Sequence, residues 1–189
     1  KDCYSGTVAV FPLDVLIKIQ AQTMRKLLFM LLFALACASV ASADEINLRK
    51  ASIIIDENDS ELVRVAAGHF ADDVFAVCGT RPVVSCKPVK DLAVIAGTIG
   101  HNELIDALAK SGEIDVSQIE GQWERYCIEI VKNPVKGVSK ALVIAGSDRR
   151  AVAYGLFSIS KQIGVHPWYW WLDIPVAKDS NPIYTLQAP

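Results

Sequence analysis

The 189-residue chain lacks the features that announce several function classes. No paired cysteines and histidines stand at zinc-ligand spacing, so no metal site is expected. There is no basic tract or stripe, which argues against nucleic acid as a partner. His69, His101 and His166 are scattered with no serine or cysteine motif beside them, and a nucleophile triad is unsupported. No cofactor is expected, and neither a long internal repeat nor a low-complexity tract is visible. The apolar run Leu27 to Ala41 is roughly 15 residues, too short to span a bilayer as a helix.

That run has a different meaning. Met24-Arg25-Lys26 precedes it and Ala41-Ser42-Ala43 ends it before Asp44, the basic start, apolar middle and small-residue finish of a secretory signal peptide. The expectation is export through a Sec-type signal over 24–43, to the periplasm or the extracellular space, with no stable membrane span afterwards. A competing reading makes Cys37 a lipid-bearing cysteine, but Ala34 stands where such signals usually have Leu or Val. Residues 1–23 read as an upstream extension outside the fold. Taking 43 residues from 189 leaves 146, enough for one core. Four of the 19 basic and two of the 21 acidic residues are removed, leaving a formal charge of −4. An oxidising compartment would permit a Cys78–Cys86 bridge; the alternative is that Cys78, Cys86 and Cys127 are three buried thiols.

Within 44–178 the pattern alternates. Continuous Ile53, Ile54 and Ile55 predict a buried strand. Asp59 or Ser60 can cap a helix carrying Leu62, Ala66, Phe70, Val74 and Val77 at helical spacing up to Gly79. A short strand at Val83 to Cys86, the strand "DLAVIAG" and the helix "HNELIDALAKSG" follow, with His101 near that helix's start. Then come "WERYCIEIV" with one wet face, a turn at Asn133-Pro134 and Gly137, and the strand "ALVIAG". The last helix, "SDRRAVAYGLFSISKQIG", sets Ala153, Leu156, Phe157 and Ser160 on one side. Strands alternating with helices predict a mixed-sheet α/β sandwich with right-handed crossovers. "VIAG" occurs twice, at Val94 to Gly97 and Val143 to Gly146, and the two strand-to-helix corners would lie side by side if their strands are parallel. The polar "AKDSNPIYTLQAP" reads as a linker or connecting strand, with 179–189 leaving the domain.

Two stretches could meet a ligand or a partner. Ser147, Asp148, Arg149 and Arg150 lie where a strand ends and a helix begins, so free N–H groups and two guanidiniums could hold a carboxylate such as that of an acidic sugar. In the plainer alternative, Ser147 or Asp148 caps the helix and the arginines pair with acidic groups on a neighbouring domain. Trp168, Tyr169, Trp170 and Trp171 are consecutive, and in an extended segment neighbours point to opposite faces, so some must face outward. Stacking on a sugar or packing under a second domain would cover them. Glycoside hydrolysis needs two facing carboxylates, and the spacing of Asp72, Asp73, Asp148 and Asp173 sets up no such pair. Adjacent Asp72 and Asp73 read as a solvated helix face.

From "GTIG" at 97–100, through "GQWERYCIEIV", to "ALVIAGSDRRAVAYGLFSISKQIGVHPWYWWLDIPV", the chain resembles the amino-terminal domain of glycoside hydrolase family 115, over about Ile46 to Val176. It departs from that family at Ala151, Ser158, His166 and Leu172, where Gly, Asp, Ser and Ala are common. The resemblance implies a xylan α-1,2-glucuronidase that removes glucuronate or its 4-O-methyl form with inversion. It also implies that the catalytic carboxylates lie on a following (β/α)8 barrel, a missing partner of the same polypeptide, with glucuronoxylan as the other partner. The implied fold is the small domain that precedes the barrel in hexosaminidases and α-glucuronidases, inactive alone. The competing reading is a stand-alone carbohydrate-binding module using the aromatic run.

Overall fold

A computed structural model describes residues 22, 24–26 and 44–186. The chain separates into two units, Lys1–Ser42 and Ala43–Pro189. In the first, Gln22 and Met24, Arg25 and Lys26 are helical; the rest of the expected extension and signal segment lies outside the described residues. Among the described residues no helix is long and apolar enough to cross a membrane.

In the second unit β1 (Glu45–Asn47), β2 (Ala51–Ile54), α1 (Glu61–Cys78), β3 (Val84–Ser85), β4 (Leu92–Thr98) and α2 (Glu103–Ser111) come first. They are followed by β5 (Tyr126–Val135), β6 (Val138–Gly146), α3 (Arg149–Gln162), the single turn α4 (Tyr169–Leu172) and β7 (Ile183–Thr185). Five strands form a sheet ordered β3-β2-β4-β6-β5, parallel except for the antiparallel edge β5. The expected mixed sheet is what the chain forms.

The central strands read as continuous apolar runs because both faces are covered. Val94, Ala96, Leu142 and Ile144 join the core shared by α1 and α3, while Ala93, Ile95, Val143 and Ala145 join that of α2, Ile114 and Ile119. Ser60 caps α1 and Gly79 ends it in the left-handed region at φ 73°. On α1 the expected core positions Ala66, Phe70, Val74 and Val77 are buried, but Leu62 is exposed and Val63 takes its place. On α3 the core is Val152, Leu156 and Ile159, with Ala153 and Ser160, and Phe157 turns outward. Asn102, not His101, caps α2. β5 continues through Asn133 and Pro134 with an irregularity between Lys132 and Val135, which moves the turn to Lys136-Gly137.

The segment expected to leave as a linker instead returns. β7 pairs antiparallel with β1, and Tyr184 is buried in the α1–α3 core. Asn47 and Asn181 are hydrogen-bonded across this pair, and Arg49 Nη1 donates to the Ser180 carbonyl.

Neither cysteine expectation fits: Cys78, Cys86 and Cys127 are all free, and Cys86 is exposed. Burial and then the Glu129 carboxylate raise the Cys127 thiol to about 11, so little of it is thiolate at neutral pH. Timed alkylation of the folded chain with peptide mapping should therefore label Cys86 well before Cys127.

Asp72 pairs with Arg81 at 2.7 Å, while Asp73, half-buried, is no part of a solvated face. Burial raises the Asp73 pKa, the nearby Ser160 hydroxyl and the charge of His69 partly offset this, and Asp72 adds to the rise. For a carboxyl raised on folding, the favourable contribution is present below its unfolded value and is lost as pH rises through the folded value. Asp73→Asn should consequently melt higher than the parent at neutral pH and show no gain in acid, as a pH series of thermal melts would read.

Candidate functional site

The two "VIAG" strands are neighbours and parallel, with Gly97 opposite Ala145 and Thr98 opposite Gly146. Their corners therefore lie side by side at the carboxyl edge of the sheet, and Ile99 N donates to the Gly146 carbonyl at 2.9 Å. The loop after β2 reaches the same edge: Asp59 Oδ2 accepts from Thr98 N at 2.7 Å, and Oδ1 from Ser60 N at 2.7 Å. The three corners enclose a crevice of about 470 Å³, in which Asp59, Thr98, His101, Ser147 and Arg149 take part.

At the Gly146 corner the structure follows the capping half of the plainer alternative, with Asp148 as the cap, while Arg150 finds its acidic partner within this unit and not on a neighbouring domain. Asp148 Oδ1 accepts from Arg150 N at 2.8 Å and Ala151 N at 2.9 Å, and Oδ2 from Glu124 N at 2.8 Å. The N–H groups that could have held an external carboxylate are thus filled by the chain's own. Burial pushes this carboxyl upward, but the N–H groups of Ala151, Glu124 and Arg150, with the Arg150 charge, hold it below its ordinary value. A group so held is ionised at neutral pH and unsuited to act as a general acid. Ser147 Oγ accepts from Arg125 N at 3.0 Å and Ser147 N donates to the Arg125 carbonyl at 2.8 Å. Arg150 pairs with Glu124 at 2.8 Å and reaches the Tyr154 hydroxyl. Only Arg149 of the two arginines has no side-chain partner among the described residues, and it borders the crevice.

The aromatic run is not extended. His166 Nδ1 accepts from Trp168 N at 3.1 Å, and the Trp168 carbonyl accepts from Trp171 N and Leu172 N, closing the single turn of α4. Positions i, i+3 and i+4 share a face of such a turn. Trp168, Trp171 and Leu172 are accordingly exposed together at 55%, 79% and 64%. Tyr169 is exposed to a lesser degree, and Trp170 lies within the turn.

The two sequence-derived stretches sit at opposite ends of α3, a separation of about 21 Å at helical rise. Between them, exposed on α3, are Tyr154 and Phe157, and exposed Trp123 adjoins Glu124 at the Arg150 end. Sequence reasoning placed Phe157 on the core side and passed over Trp123 and Tyr154; the spacing of Arg150, Tyr154, Phe157 and Lys161 was the available signal, one stripe at helical period. Asp59 of the crevice was expected only as an alternative cap. Among the described residues no group of three or more His, Cys, Asp or Glu side chains is placed to hold a metal.

No protein-family model matches the chain, and no curated protein matches it either. A solved structure does. It is described as a family GH115 4-O-methyl-alpha-glucuronidase, BtGH115A, with specificity for decorated arabinogalactans. The likeness has a TM-score of 0.60 at 25% identity and covers 76% of this chain but 17% of that one. The α/β unit described above thus has the fold of a part of that glucuronidase, and it spans less than a fifth of the enzyme's length.

Proposed function

We propose that the chain is the non-catalytic amino-terminal domain of an exported glycoside hydrolase that removes α-linked glucuronate or 4-O-methylglucuronate from a plant polysaccharide, and that its aromatic face packs on the catalytic barrel. The observation that carries this is the exposed apolar turn Trp168, Trp171 and Leu172 on a domain similar to a fraction of a glucuronidase. Interfaces are anchored by Trp, Tyr and Arg, and Tyr154, Phe157 and Arg150 extend the face along α3. The engagement of Asp148 as a helix cap agrees with chemistry located elsewhere in the parent enzyme. Glucuronoxylan is the expected polysaccharide; the structural neighbour is described as specific for decorated arabinogalactans, and the methylated uronate is what the two share.

The second reading, a free carbohydrate-binding module, draws on the same exposed indoles. Immobilised glucuronoxylan and decorated arabinogalactan separate the two. The 189-residue chain should release no uronate from either and be retained by neither. Retention lost on Trp171→Ala would replace the domain reading by the module reading. The coding DNA beyond residue 189 should continue into a barrel bearing paired carboxylates. In that longer protein Trp171→Ala should lower the melting temperature, although on the isolated domain a surface change of this kind stays within about 0.5 kcal/mol.

A further inference from the structure

The five-stranded sheet has two edges and guards them differently. β3 is two residues long, too short to template another strand, whereas β5 runs from Tyr126 to Val135. Ser147 N donates to the Arg125 carbonyl, and bonding along an antiparallel pair alternates. In the register that sets Tyr126 opposite Gly146, Cys127, Glu129 and Val131 therefore turn their N–H and C=O groups to β6. Those of Tyr126, Ile128 and Ile130 turn outward, and no hydrogen bond to them is present among the described residues. Such a row of open backbone groups is a template for a further strand. It closes where β5 becomes irregular after Lys132, at Pro134, which has no N–H.

The charges along this row choose its occupant. Glu124 and Arg125 stand at its start, Glu129 in its middle and Lys132 at its end. Arg125 and Lys132 are exposed and form no salt bridge among the described residues. Glu129 accepts from Asp115 N through Oε1, which leaves its other oxygen available. We infer that β5 pairs antiparallel with β5 of a second copy of this chain, about a two-fold axis at Ile128. Each strand then meets its own reverse, with Ile128 opposite Ile128, Tyr126 opposite Ile130 and Cys127 opposite Glu129. Glu129 lies diagonal to Arg125 of the other copy, within reach of long side chains, and Lys132 approaches Glu124. Half-exposed Ile128 and Ile130 gain cover on the α3 side. An axis at Glu129 would set two carboxylates against each other, and one at Ile130 would bring Tyr126 onto Pro134. Assembly stops at two copies, because pairing uses the long edge of each and β3 is too short to extend it.

Sedimentation equilibrium of the 189-residue chain from about 1 µM to about 300 µM, with amide hydrogen exchange at both ends of that range, tests this. A monomer–dimer equilibrium is expected. At the higher concentration the amides of Tyr126, Ile128 and Ile130 should slow, while those of Cys127, Glu129 and Val131, already bonded to β6, should change little. Ile128→Pro removes an outward N–H and no bond of the β5–β6 ladder, so it should fold and stay monomeric. Arg125→Glu alters an exposed side chain; it should melt as the dilute parent does and weaken the dimer about tenfold. A parent chain that stays monomeric throughout, or a dimer whose added protection misses the outward amides, would overturn the inference. So would an Arg125→Glu dimer as tight as the parent's. None of these outcomes bears on the domain reading, which is tested on polysaccharide and at Trp171.

Discussion

Replacing Phe70 by alanine is expected to cost about 3–5 kcal/mol, the largest loss from any single truncation in this domain. Phe70 is wholly inaccessible and is the largest of the fully buried side chains among the described residues. It sits on α1 in the cluster that also holds Ile53, Val74, Leu156 and Ile159. Removing the ring leaves a cavity between two helices and a sheet, where neighbours already in good rotamers collapse only in part. For a chain of this length the loss should lower the melting temperature by roughly 6–20 °C. Urea unfolding should show a lower midpoint with an unchanged slope, since the surface exposed on unfolding is nearly the same. Leu62→Ala is the internal control. Leu62 opens the helical series that contains Phe70, yet it is exposed, so its loss should stay within about 0.5 kcal/mol. Equal effects at the two positions would mean that α1 presents a different face to the sheet.

The contrast between Leu62 and Val63 shows where the sequence is a sufficient guide and where it is not. β2, β4 and β6 are legible because β-branched and apolar runs of that length, bounded by Asp, Gly and Ser, leave few alternatives. The corners at Gly97 and Gly146 are legible for the same reason, and their adjacency follows from one parallel pairing. A helix's first turn is harder, because positions 62 and 63 both continue a series through Ala66 and Phe70 within the tolerance of a 3.6-residue period. The aromatic run misleads because alternation presupposes an extended chain, whereas the turn is closed by His166 and by backbone bonds that no periodicity records. β7 is three residues long, too short to alternate visibly, and only the burial of Tyr184 against α1 and α3 distinguishes it from a linker. At the candidate site the deciding contact is non-local. Asp148 accepts from Glu124, 24 residues earlier, and that bond, with the two from its own helix, is what turns a possible anion site into a filled one.

The second large effect concerns the corner itself. Gly146→Ala should destabilise the domain by about 1–3 kcal/mol and displace the loop that carries Asp148 and Arg149. An added Cβ at Gly146 would lie 2.6 Å from Val152 N and 2.9 Å from the Asp148 carbonyl, both backbone atoms of the first turn of α3. Backbone cannot rotate aside, so α3 must move away from β6, and Val152, which is fully buried, must move with it. The equivalent change in the other "VIAG" corner, Gly97→Ala, acts by another route. There the Cβ would meet the side chain of Asn102, at 2.1 Å from Nδ2. Asn102 is 2% exposed and caps α2 through Leu104 N and Ile105 N at 3.1 Å each, so displacing it removes a cap worth about 1 kcal/mol. Amide NMR should tell the two variants apart. Gly97→Ala should shift the first turn of α2, while Gly146→Ala should shift Glu124, Arg150, Ala151 and Val152, the residues whose N–H groups converge on Asp148 and its carbonyl.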